Sequence, residues 1–73
     1  MIPIKTPLVW LQTDGTLVSC RDKIKVLTDN HIELAQVMQD AFEDAVIIGV
    51  DGDVMRGMLR DMVDALDSPK IHD

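Results

Sequence analysis

The chain has 73 residues, with 7 Lys+Arg against 13 Asp+Glu, a formal net charge of −6 and 47% apolar residues. That is the composition of one small folded domain rather than of a disordered or fibrous chain. A balance this acidic lacks the electrostatic footprint that phosphate backbones and anionic lipid attract, so neither nucleic acid nor a membrane is an expected partner.

The charge is unevenly placed. Residues 1–28 hold Lys5, Arg21, Lys23 and Lys25 against Asp14 and Asp22, a balance of +2, whereas residues 29–73 carry −8. The acids of the second part recur at helical intervals, as on a solvated helix face or a surface for a basic protein partner. A single cysteine, Cys20, excludes an internal disulfide and a four-cysteine zinc site. No uninterrupted apolar run, Ala45–Ile48 included, comes near the ~20 residues that span a bilayer. Met1-Ile2-Pro3-Ile4-Lys5 lacks the charged-then-apolar plan of a signal peptide, so a cytoplasmic setting is expected.

In chain order, Pro3 and Pro7 keep the first residues extended. Residues 8–19 read as a β-hairpin. Leu8-Val9-Trp10-Leu11-Gln12 and Leu17-Val18-Ser19 are strand-like runs flanking Asp14-Gly15, a pair suited to a type I′ turn. A lone two-stranded hairpin is marginal in water, so Trp10 is expected to lie on a helix or on a partner.

Residues 20–48 read as one long helix. Neither Gly nor Pro occurs from Thr16 to Ile48, and Ser19 with Asp22 resembles a capping box. Ile24, Leu27, His31, Leu34, Met38, Ala41, Ala45 and Ile48 recur at spacings of 3 and 4, a seam of period 3.5 widened by Val37 and Phe42. At ~1.5 Å per residue such a helix is roughly 40 Å long, whereas a compact globule of this length is about 23 Å across. A helix that long cannot hide its seam against its own small remainder, and a homodimer is the expectation. The candidate interface is Trp10, Ile24, Leu27, His31, Leu34, Met38 and Phe42. The competing reading breaks the helix at Asp29-Asn30, with Asn30 and Glu33 as a second cap and 23–27 as a third strand.

Gly49 is placed to close the helix, and Asp51 or Asp53 to cap a second one over 53–67. There Met55, Leu59, Met62 and Leu66 recur at helical spacing, with Gly57 inside, tolerated either by chance or for close approach of another helix. Residues 68–73 read as a frayed tail. The expected fold class is therefore α+β, mostly α: an N-terminal β-hairpin, then a long helix and a shorter antiparallel one, as a dimer.

Little chemistry is visible. No phosphate loop, dinucleotide fingerprint or nucleophile elbow occurs, so no catalytic residue, cofactor or enzyme activity is expected. Asp51-Gly52-Asp53 opens like a calcium loop, but Arg56 and Met62 stand where Gly and Glu belong. Metal binding by His31 with His72 is not expected. His31 falls on the seam, where two copies meeting would make association sensitive to protonation. Cys20, beside Arg21 and Lys23 in a first helical turn, is the candidate reactive thiol. The helix–turn–helix order evokes DNA binding, but the second helix is acidic. The first reading is therefore a small, acidic, non-catalytic interaction or regulatory module. A thiol- or redox-dependent protein and an accessory DNA-associated regulator are the alternatives.

Trp10-Leu11-Gln12-Thr13-Asp14-Gly15, Ser19-Cys20-Arg21-Asp22-Lys23 and Gln39-Asp40-Ala41-Phe42-Glu43-Asp44-Ala45 together resemble a family of short uncharacterised proteobacterial proteins. The resemblance implies a bacterial cytoplasmic setting and carries no activity or site residue with it.

Overall fold

The computed structural model describes residues 9–69, which form two helices, α1 (Arg21–Ile48) and α2 (Gly52–Asp64), preceded by a closed turn. Leu8 of the expected hairpin and residues 70–73 of the expected tail, His72 included, lie outside the described residues. Contacts gather the chain into two units, Met1–Asp40 and Ala41–Asp73.

The β-hairpin is not there, and with it the α+β class falls: among the described residues there is no strand, only one antiparallel bridge between Leu11 and Leu17. The chain does reverse at Asp14-Gly15. Gln12 N–H donates to the Thr16 carbonyl at 2.8 Å, Gly15 N–H to the Gln12 carbonyl at 3.0 Å and Val18 N–H to the Trp10 carbonyl at 2.8 Å. Only Gly15 takes a positive φ, +86°, so the two-residue type I′ turn, which needs two such residues, is excluded. Asp14 is held otherwise. Its Oδ1 accepts from the Thr16 amide at 2.9 Å and the Thr16 hydroxyl at 2.6 Å, bonds that hold its carboxyl below the usual range. A local network therefore closes the turn, but nothing extends it into a ladder. Val9, Leu11 and Leu17 stay exposed, and α1 begins three residues after Val18.

α1 runs 28 residues without a break at Asp29-Asn30. Cys20, not Ser19, stands at its N-cap: the Cys20 carbonyl accepts the first helical bond, from Ile24 N–H at 2.9 Å. Across the proposed break, the Lys25 ammonium meets the Asp29 carboxylate at 2.6 Å, one turn along an exposed face. The C-terminus closes as a Schellman motif. Gly49 takes φ +117°, its N–H reaches the Val46 carbonyl at 3.1 Å, and Val50 N–H reaches Ala45 at 2.8 Å.

α2 starts after a three-residue link, one residue earlier than expected. Asp51 caps it, its Oδ2 accepting from Val54 N–H at 3.1 Å. The helix ends at Asp64 rather than at residue 67. Its last turn holds no base, Asp61, Asp64 and Asp67 crowd its negative end, and Pro69 turns Ser68 away from helical angles. Within the second unit the start of α2 folds back on α1, completing a helical hairpin. A Cβ on Gly52 would stand 3.5 Å from the Phe42 ring, and the Arg56 guanidinium lies 4.7 Å above that ring. The reading of Gly57 as a close-approach site is not supported: a Cβ there meets nothing within 4 Å.

Two glycines should therefore respond oppositely in denaturant melts. Gly57→Ala is expected to stabilise by up to about 1 kcal/mol, through helix propensity alone. Gly49→Ala is expected to cost about 1–3 kcal/mol, because alanine cannot relax into its backbone conformation.

Candidate functional site

Among the described residues no side chain is fully buried, so α1 is best understood by which of its faces are partly covered. Ile24, Thr28, His31, Ala35, Met38, Phe42 and Ala45 are half-buried, at alternating spacings of 4 and 3. This stripe shares Ile24, His31, Met38 and Ala45 with the seam expected from sequence, but Ala35 replaces Leu34 and Phe42 replaces Ala41. Leu27 is half-buried at the stripe's edge, while Leu34 is 60% exposed and Ile48 82%.

The half-buried stripe is covered by the chain itself. In the first unit the Trp10 indole stands edge-on to the His31 imidazole, ring centroids 6.0 Å apart. The Trp10 Nε1 is shielded there with no hydrogen-bond acceptor, a cost offset only by the ring's apolar contacts. In the second unit Gly52 and Arg56 cover Phe42. The structure thus brings Trp10 and His31 together, and it places Ile24, Leu27, Met38 and Phe42 on the same helix face. Leu34 stands apart from them.

A second stripe carries the uncovered apolar surface; the seam expected from sequence took Leu34, Ala41 and Ile48 from it, with Val37 beside them, and merged them with the covered face. At 100° per residue, Val26, Asn30, Leu34, Val37, Ala41 and Ile48 fall within an arc of about 80° of α1, and all are exposed. Beside it run Asp22, Asp29, Glu33, Asp40 and Asp44, spaced 7, 4, 7 and 4 residues apart along the same helix. At the N-terminal end of the exposed ridge lies an open depression of about 400 Å³, lined by Val18, Asp22, Lys23, Val26 and Leu27. The ridge ends at Ile48, next to Ile47, which is 83% exposed. The signal was present in the sequence: Leu27, Leu34, Val37, Ala41 and Ile48 follow period 3.5 as well as the covered stripe does.

Cys20 is exposed. Its thiol is held below the ordinary cysteine value by the Lys23 and Asp22 backbone N–H groups at the helix start, with the Lys23 charge adding a smaller share. This is what an N-cap acceptor experiences, and no cluster of His, Cys, Asp or Glu among the described residues is fit to hold a metal ion. No helix among them is long and apolar enough to cross a membrane. No protein-family model matches the chain, and neither does a curated protein or a solved structure.

A depressed thiol pKa means that capping by the thiolate contributes stability fully present above the thiol's unfolded value and lost as pH falls through its lower folded one. The rate of Cys20 alkylation against pH should therefore have its midpoint at lower pH in the folded chain than in the same chain unfolded in guanidinium. Coincident midpoints would show that the sulfur does not cap α1.

Proposed function

We propose that this chain is a small, non-catalytic, cytoplasmic interaction module that works as a homodimer through α1. The observation that carries this reading is the exposed ridge Val26, Leu34, Val37 and Ile48 on a helix of 28 residues, in a chain with no fully buried side chain among those described. Exposed apolar ridges of this kind are unusual on chains that remain alone in water and mark protein–protein surfaces. The acidic line beside the ridge keeps that flank solvated and repels a copy laid on it.

The reading differs from the seam expectation in one respect. Trp10 and the start of α2 already occupy the face that holds His31 and Phe42, so the partner belongs on the ridge instead. His31 meets an indole of its own chain, which gives a symmetric His31 pair no support. Thiol chemistry at Cys20 has less behind it, since the hydrogen bonds that lower its pKa are those of a helix cap.

Light scattering across a dilution series tests the proposal. At tens of micromolar the expected mass is twice the chain's 8.1 kDa. A mass of one chain at every concentration would overturn it.

A further inference from the structure

We infer that two copies of α1 pair antiparallel along the exposed ridge, each seating its Ile48 in the depression formed by Val18, Asp22, Lys23, Val26 and Leu27 of the other. This rests on the self-association reading and adds the direction and register of the contact.

The first argument is charge. The start of α1 holds Arg21, Lys23 and Lys25 against Asp22, a balance of +2, while Asp40, Glu43 and Asp44 near its end give −3. Parallel copies would set each of these groups beside its own like. Antiparallel copies set the basic start of one helix beside the acidic end of the other. The same distribution opposes α1's own dipole, which favours acids at its N-terminus and bases at its C-terminus; its last turn has no base. A charge pattern unfavourable within the helix becomes favourable between two of them.

The second argument is shape. The depression opens beside Val26 at the N-terminal end of the ridge, and Ile48 stands at the ridge's C-terminal end, on one helix. Centring the pair between Leu34 and Val37 sets each of these against the other in the partner. In that register Ile48 falls opposite the partner's Lys23, at the mouth of the depression, and Lys23 falls within one turn of the partner's Asp44. The depression is lined by Val18, Val26 and Leu27, by the stem of Lys23 and by Asp22, and its apolar side chains suit a branched aliphatic group. The arrangement is isologous, as a two-fold axis requires: both copies give Ile48 and both receive it.

A spin label reads the direction. With Ser19→Cys in a Cys20→Ser background, which keeps a capping side chain, antiparallel dimers put the two labels about 50 Å apart along the axis and parallel ones under about 20 Å. Ile48→Asp reads the seat. Ile48 is 82% exposed in the single chain, so helix content by circular dichroism should be unchanged while dimer affinity falls about a hundredfold. Lys23→Glu should weaken the dimer, and adding Asp44→Lys should restore it. Labels close together, or an Ile48→Asp dimer as tight as the parent, would overturn the register and leave self-association standing. A single-chain mass for the parent would remove both.

Discussion

A helix that is apolar on two faces has to be covered on both, and that constraint organises the rest of this molecule. α1 offers one stripe through His31 and Phe42 and another through Leu34 and Ile48, separated by roughly a quarter turn. Among the described residues two segments lie against α1, the turn that carries Trp10 and the start of α2. Both go to the first stripe. Neither the turn nor α2 is stable as an isolated segment, since a two-strand reversal and a 13-residue helix are each marginal in water. They hold their shape where they touch α1, and α1 holds its covered face because they touch it. Among the described residues the second stripe stays exposed.

The ends of the helices are fixed with more care than their faces. Cys20, the Gly49–Val50 Schellman bonds and the Asp51 cap each satisfy backbone groups that helix formation leaves orphaned. Each such device is worth about 1 kcal/mol, comparable with the stability left over in a domain this small. The turn at Asp14 follows the same logic, with a carboxylate oxygen taking two donors from Thr16. Local hydrogen bonding thus sets where each segment starts and stops, and packing sets only which stripe is covered.

That division explains what could be read from sequence. The extent of α1 was legible because Thr16–Ile48 lacks Gly and Pro and because Gly49 is the one residue there suited to a left-handed close. The chain reversal at Asp14-Gly15 was legible for the same local reason. Whether a reversal grows into a sheet is not local: it needs a third strand or a helix against both arms, and no pair of dipeptides encodes that. The choice of face failed on a similar point. Hydrophobicity ranks Leu34 above Ala35 and so favours the stripe through Leu34. The indole and the start of α2 instead settle on His31 and Phe42, and Thr28 and Ala35 on that same face become half-buried with them. The candidate interface therefore joined Leu34, on the uncovered stripe, to six residues on the covered side of the fold.

The uncovered stripe also bears on how much of the protein a cell must make. Under the proposed dimer, the chain hides its last apolar face against a copy of itself and is stabilised by mass action, its folded fraction rising with its own abundance. Dilution then acts as a denaturant, and synthesis as a stabiliser. Below the dissociation constant of that proposed dimer, Leu34, Val37 and Ile48 would face water and the proteases in it, and turnover would fall hardest on chains that have not met a second one.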